Sequence, residues 1–279
     1  MPVRPRSISL GVGIGLALAV LITLTVHGFA PVDAQCYYDV DRAQPWVPGG
    51  CFLYSPPFVL VMSALPGLMP FEVFAFLLRS AEMLVLIAVA GPAVGAALFI
   101  PAVAIELNAA NINLLIVGAV LIGFRYPWAW AFIILAKVTP GIGLLWFLTR
   151  REWRHLAMAM GVTLAFAVGS WVLAPDLWPK YLESLFVVPD TGPWTIAWRL
   201  PIAAALVVWG ARGDHRWAVL VAVFLAMPRW YYLSPVVLVG LFPLVRLARP
   251  IRWPRGLQLR RPQTAATTSD GLTVRAPSS

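Results

Sequence analysis

Residues 127–148 read PWAWAFIILAKVTPGIGLLWFL. As one uninterrupted helix this stretch would cross a bilayer, for which about 20 apolar residues suffice. Its internal Lys137-Val138-Thr139-Pro140-Gly141 argues for a break. Proline removes a backbone donor and crowds the turn before it, and glycine is a poor helix former. The alternative is two short arms that meet at Lys137–Gly141. Broken backbone at membrane depth is tolerated only where protein covers it or where it lines a cavity.

The composition around this stretch defines the class. The chain has 279 residues, 60% of them hydrophobic and 12% charged, with a mean hydropathy of +0.81. A soluble domain carries about 25% charged residues, so this is an integral membrane protein. The net charge of +9 does not point to nucleic acid. The arginines gather at the ends of apolar segments and in the tail, as the positive-inside bias requires, and anionic lipid headgroups are a sufficient partner for them. The first apolar run, Ile8 to Val26, exceeds the roughly 7–15 residues of a signal-peptide core, and no small-residue cleavage site follows it. It reads as a retained helix. Arg4 and Arg6 precede it, which places the next loop outside the cytoplasm.

The expected fold is all-α: a polytopic transmembrane bundle of about ten spans over residues 1–250, counted at about 20 apolar residues each. Residues 251–279 are basic, then rich in Thr and Ser, and are expected to be a disordered cytoplasmic tail. Two topologies satisfy the charge bias. In one, residues 57–69 span the membrane and residues 127–148 form a single helix. In the other, residues 57–69 are re-entrant or interfacial and residues 127–148 break in two. The second is favoured, because thirteen residues at about 1.5 Å each cover only about 20 Å of a 30 Å core. It also moves Glu72, Arg79, Asn111, Asn113 and Lys137 toward the side that holds Asp33.

Charges at bilayer depth cost about 2.5–3.5 kcal/mol each on insertion scales, so each needs a partner or a polar cavity. Glu72, Arg79 and Glu82 share one face of their helix, and an ion-pair row joining two helices accounts for the glutamates. Arg79 presents a fork suited to phosphate. Lys137 has no acidic neighbour in sequence and reads either as a phosphate ligand or as a lysine snorkelling to the interface. Asn111 and Asn113 are helix caps, or line a polar site with Glu106 and Asn108. Asp33 follows Pro31 at the end of the first helix and is held close to the bilayer surface, where a carboxylate suits a base for a hydroxyl. Tyr37, Tyr38, Trp46 and Tyr54 could stack on sugars, although Tyr and Trp are common at membrane interfaces anyway. Cys36 and Cys51 share the same loop, equally as a disulfide or as two free thiols. No nucleotide-binding glycine loop, metal-ligand cluster or serine–histidine arrangement is visible, so no cofactor and no metal are expected.

Taken in order, these pieces resemble a known family. One apolar span is followed by Asp-x-x-x-Tyr-Tyr at residues 33–38 and Phe-x-Tyr-Ser-Pro-Pro-Phe at 52–58. Leu78-Arg79-Ser80, Asn-Ile-Asn-Leu-Leu at 111–115 and Ala-Lys-Val-Thr-Pro at 136–140 come next. The order looks like the glycosyltransferase 87 family, GT-C enzymes of the membrane that use polyprenyl-phosphate sugars. The resemblance implies an extracytoplasmic site, an aspartate base matched by Asp33, and transfer of mannose. Tyr37, Tyr38, Tyr54, Asn111 and Lys137 match motif positions. Two departures stand out. Ala110-Asn111-Ile112-Asn113 stands where members often have Gly-Gln-x-Asn, and Arg229-Trp230-Tyr231-Tyr232 stands where they have Ser-Trp-x-His-His.

The function expected from the residues and the resemblance together is inverting transfer of a sugar from a polyprenyl-phosphate donor. The acceptor would be a glycolipid or glycan hydroxyl at the outer face of the cell membrane. Asp33 would act as base, Lys137, Arg229 and Arg79 on the donor phosphate, and Tyr37, Tyr38, Tyr54, Asn111 and Asn113 around the substrates. The rival reading is a transporter or flippase for a lipid-linked or anionic solute, which would predict internal pseudo-symmetry; the sequence shows no repeat.

Overall fold

A computed structural model of the chain describes residues 5–26, 31–47, 50–187, 195–230 and 234–246. The tail expected at 251–279 lies outside the described residues, as do Tyr231 and Tyr232.

All regular structure among the described residues is helical. The first long helix, α1 (Pro5–Val26), is followed by α2 (Val32–Tyr38) in the first loop. Next come α3 (Pro56–Met62), α4 (Phe71–Ala90) and the single turn α5 (Val94–Ala97). Two pairs of short arms follow. The first pair is α6 (Pro101–Ala109) and α7 (Asn113–Gly123), with their axes bent by 106°. The second pair is α8 (Trp130–Ala136) and a 3-10 segment, Thr139–Leu144, continuing into α9 (Leu145–Thr149). The chain then runs through α10 (Trp153–Leu173), α11 (Leu177–Val187), α12 (Ile196–Arg212), α13 (Trp217–Leu225) and α14 (Leu241–Arg246).

Residues 127–148 are therefore two arms, as the Lys-Val-Thr-Pro-Gly run implies. Lys137 ends α8 in an extended conformation, with φ −146°. Residues 57–69 likewise form no spanning helix, since α3 stops at Met62 after seven residues. Helix length and composition by themselves support fewer full spans among the described residues than the roughly ten expected. Among the described residues two helices are long and apolar enough to cross a membrane, 71–97 and α10, or three if the bent α6–α7 pair is one span. The reason is local. Pro101, Ala110-Asn111, Pro127 and Pro140 cut the later apolar sequence before a full span accumulates, and the shorter apolar helices among the described residues have 10–17 residues.

The arms hold together by close packing. The indole of Trp130 is fully buried and lies against Gly123 at the end of α7 and Gly143 in the 3-10 segment; a Cβ at either glycine would collide with it. Arg79, 3% exposed, is a second pin. Its Nε donates to the Leu107 carbonyl at 3.1 Å, Nη2 to Asn108 at 2.8 Å and Nη1 to Leu24 at 2.8 Å. One guanidinium so ties α4 to the last turns of α1 and α6. Charge-assisted hydrogen bonds to carbonyls of this kind are short and strong. Of the glutamates on this helix, Glu82, 0% exposed, makes no hydrogen bond among the described residues through either carboxylate oxygen.

The bundle has two unlike ends. Arg150 donates to the Ala211 carbonyl at 3.1 Å and to Asp214 at 3.0 Å, and Arg216 lies over the Phe124 ring. The ends of α7, α9 and α12 thus share one basic rim. Lys137 stands at the other end of the α8–α9 arms, beneath the first loop.

Candidate active site

Helix α2 starts after Pro31 and carries Asp33 in its first turn, where the helix dipole favours a negative charge. Tyr37 follows one turn later on the same side. The Asp33 carboxylate accepts a hydrogen bond from Asn111 Nδ2 at 2.7 Å. Asn111 comes directly after Ala110, which ends α6 in the left-handed region at φ 52°. That conformation disfavours any residue with a Cβ, and it is the position where the family pattern has glycine. The bend turns the Asn111 side chain back toward the loop and starts α7 at Asn113.

Glu106, 0% exposed on α6, caps that start. Its Oε1 accepts from the backbone N–H of Asn113 at 2.7 Å and of Leu114 at 3.2 Å, and its Oε2 accepts from Asn113 Nδ2 at 3.1 Å. The Asn113 amide is thereby oriented. Its NH2 faces the carboxylate, and its Oδ1 accepts from Lys137 Nζ at 2.8 Å. Lys137 is half-buried, and this is the one hydrogen bond its ammonium makes among the described residues, so two donors remain available. Asp33, Asn111, Asn113, Glu106 and Lys137 thus occupy one polar cluster at the meeting point of both pairs of arms. Capping of α7 falls to Glu106 rather than to an asparagine.

The first loop is fastened over this cluster. Ser55 donates through its Oγ to the Leu135 carbonyl at 2.6 Å, two residues before Lys137, so the Phe52–Phe58 and Ala136–Pro140 motifs lie side by side. Tyr37 and Tyr54 share a hydrogen bond between their hydroxyls at 2.8 Å, with edge-to-face rings 5.2 Å apart. Cys36 and Cys51 form a disulfide that spans 6.0 Å between Cα atoms. It joins α2 to the residue just before the Phe52–Ser55 run. Trp46 donates to the Tyr54 carbonyl at 3.0 Å and packs on Tyr181 of α11. Tyr38 points elsewhere: its hydroxyl donates to the Met69 carbonyl at 2.9 Å, and its ring lies against Phe71 and Phe74.

Burial raises the pKa of Asp33 above the ordinary carboxylate value, while the Asn111 amide and the Lys137 charge pull it partly back. Burial first, with the Asp33 charge adding to it, pushes the Tyr37 and Tyr54 hydroxyls well up, so both stay protonated. Among the other expected residues, Arg79 belongs to the frame described above. Arg229 lies in the turn after α13. Three residues before it, Ala226 accepts a hydrogen bond from the Thr139 hydroxyl, which brings that turn to the Lys137 arm. Ser55 is the polar contributor that motif reading left without a role, and Glu106, read as lining a polar site with the asparagines, also caps α7. The signal for Glu106 was an acid in an apolar run just before two asparagines. No group of three or more potential metal ligands occurs among the described residues.

The fold and site define a helical membrane protein with a polar cluster built under a stapled loop. Residues 52–260 match glycosyltransferase family 87, well over half of the chain, and the protein belongs to that family. It is a membrane glycosyltransferase, with a sugar donor and an acceptor as substrates. Tyr54, Arg79, Asn111, Asn113, Lys137 and Arg229 lie within the matched region; Asp33, Tyr37 and Tyr38 precede it. Comparisons with curated proteins and with solved structures give no match.

Proposed function

We propose that the protein transfers a sugar, mannose in the reading of its motifs, from a polyprenyl phosphate to a glycolipid or glycan hydroxyl, with Asp33 as general base. The observation that carries the proposal is the bonded cluster itself. Asn111 holds the carboxylate of Asp33, and Asn113, two residues on, holds the ammonium of Lys137. A carboxylate and an ammonium from distant parts of the sequence are thus bonded into one cluster, which supports a base and a cation acting together in inverting transfer from a phosphate.

In this reading the acceptor oxygen attacks the anomeric carbon as its proton passes to Asp33. The bond from that carbon to the phosphate oxygen breaks, and polyprenyl phosphate leaves with the electron pair. The transition state has oxocarbenium character, as in glycoside chemistry. Charge grows on the departing phosphate, and Lys137, with donors to spare, stabilises it together with Arg229. Arg79 contributes by holding α1, α4 and α6 in place, and the Tyr37–Tyr54 pair forms a wall of the substrate site.

Two features favour an extracytoplasmic orientation for this end. The basic rim at the other end fits the cytoplasmic side, and a disulfide in the first loop fits an oxidising compartment. The full set of about ten crossings would then include arms that reach only part-way through the bilayer.

The test is sugar transfer in membranes containing the protein, with radiolabelled polyprenyl-phosphate-mannose as donor, comparing wild type with Asp33→Asn. Loss of about 10²-fold or more is expected for a missing base. Equal transfer by both would remove Asp33 from the mechanism. No transfer by the wild type from any lipid-linked sugar would favour the transporter reading.

A further inference from the structure

Lys137 sits at a break in the chain, and the break is fastened on both sides. In an unbroken helix the Leu135 carbonyl would accept from the N–H of Thr139. The extended backbone at Lys137, φ −146° and ψ 111°, ends α8 instead, and carbonyls at a helix end need partners from elsewhere. Ser55 of the first loop, 2% exposed, gives Leu135 two donors, its N–H at 3.3 Å and its Oγ at 2.6 Å. On the other side of the lysine, the Thr139 hydroxyl donates to the Ala226 carbonyl at the end of α13. That turn is itself held from α12. Arg199, also 2% exposed, donates through Nη1 to the carbonyls of Leu225 at 3.0 Å and Met227 at 2.7 Å, and through Nη2 to Pro228 at 3.3 Å. Its guanidinium lies over the Trp230 ring, 4.6 Å from the centroid.

We infer that Ser55 and Thr139 are positioning residues for Lys137: their hydroxyls clamp the break from Leu135 to Thr139 and so hold the ammonium at its place in the polar cluster. The inference rests on the transfer reading above, in which Lys137 meets the phosphate, and it names what keeps that cation in place. A lysine carries a compact charge on a flexible four-carbon stem, so where the charge stands depends on how firmly the root of the stem is held. At its tip the ammonium is met by Asn113 Oδ1 at 2.8 Å. At its root the helical hydrogen bonds are interrupted, and the fixing passes to partners 80 and 87 residues away in sequence. Both hydroxyls donate to backbone carbonyls, so they act on the path of the chain and not on the substrate. Arg199 backs the clamp by fixing the carbonyls on either side of the one that Thr139 uses.

Full-length protein in lipid nanodiscs is titrated with polyprenyl phosphate, the leaving group itself, and with the matching polyprenol, which lacks the phosphate. The ratio of the two Kd values reads the phosphate contact and needs no transfer. Thr139→Val and Ser55→Ala each remove one hydroxyl, and the Ser55 N–H bond to Leu135 stays. Both are expected to lower the preference for the phosphate about 10-fold, as a misplaced charge does. Thr139→Ser, which keeps the hydroxyl, should remain within about twofold of wild type. On a Lys137→Met background neither loss should add anything, because both act through the lysine. A preference unchanged in both hydroxyl variants would overturn the inference, and so would a loss that persists at full size without Lys137. Wild-type protein that binds the two lipids alike would overturn it as well. No sugar moves in this titration, so its outcome is separate from that of the Asp33→Asn transfer test.

Discussion

The two ends of the bundle use the same kinds of residue to opposite effect. At the basic rim Arg150 pairs with Glu152 at 2.8 Å and with Asp214 at 3.0 Å, and His155 pairs with Glu152 at 2.8 Å. These side chains are open to solvent, and pairs of this kind contribute about 0–1 kcal/mol each. Within the polar cluster the described contacts run through amides instead. Glu106 and Lys137 meet through the amide of Asn113. A buried amide between two charges costs little in desolvation while both of its ends are satisfied, and much once one end is lost. The rim marks orientation. The cluster sets geometry.

The largest effect that would sharpen this contrast is on Glu106. Glu106→Ala leaves the N–H groups of Asn113 and Leu114 and the Asn113 NH2 without an acceptor. A stability loss on the order of 3 kcal/mol is expected, read as a fall in the midpoint of denaturant unfolding in detergent. A loss below about 1 kcal/mol, the scale of a surface pair, would erase the difference between the two ends.

Next comes the pH dependence. Asp33 must be ionised to act as a base, and its pKa lies above the ordinary carboxylate value. Activity therefore falls on acidification at a higher pH than for an exposed aspartate. The stability contribution has the opposite sense, present below the unfolded-state pKa and lost as pH rises through the folded-state value. Asn111→Leu removes the amide that favours the ionised form, so the acid limb of kcat/KM should move further up. A limb that stays in place would detach Asn111 from Asp33.

A smaller gain is expected from Ala110→Gly. With φ 52° at the end of α6, glycine relieves a left-handed alanine and should add roughly 0.5–1 kcal/mol, with transfer unchanged. At the rim, Asp214→Asn breaks an exposed pair and should shift stability by less than about 0.5 kcal/mol, again with transfer unchanged; a larger change would show the rim to be more than a surface feature.

Much of this was legible in the sequence because local rules carried it. Proline and glycine beside Lys137 mark the break, and the shortness of residues 57–69 rules out a span there. The asparagines and Lys137 fall together as their motif order implies. Other features depend on contacts that no local pattern records. The capping-box pattern looks for an acid three residues beyond the cap, whereas Glu106 caps α7 from seven residues upstream and across the bend. Arg79 was read as a fork for phosphate or as part of an ion row. Its carbonyl partners come from the ends of two other helices, which sequence does not align. Tyr37 and Tyr38 look alike in the motif, yet consecutive helical residues point about 100° apart: Tyr37 faces the site and Tyr38 faces α4. Apolar content alone does not fix the count of crossings, because it measures burial in lipid or protein alike.

The short arms bear on how the chain enters a membrane. At about 1.5 Å per residue, the nine residues of α6 and the eleven of α7 are each too short to be handed to lipid alone. Lys137, at the tip of the second pair, would carry an unshielded charge into the core if it went first. Synthesis runs in the order that avoids this. The helix that holds Arg79 and the turn that presents Asn113 are both made before Lys137 emerges, so the partner for the lysine precedes it along the chain.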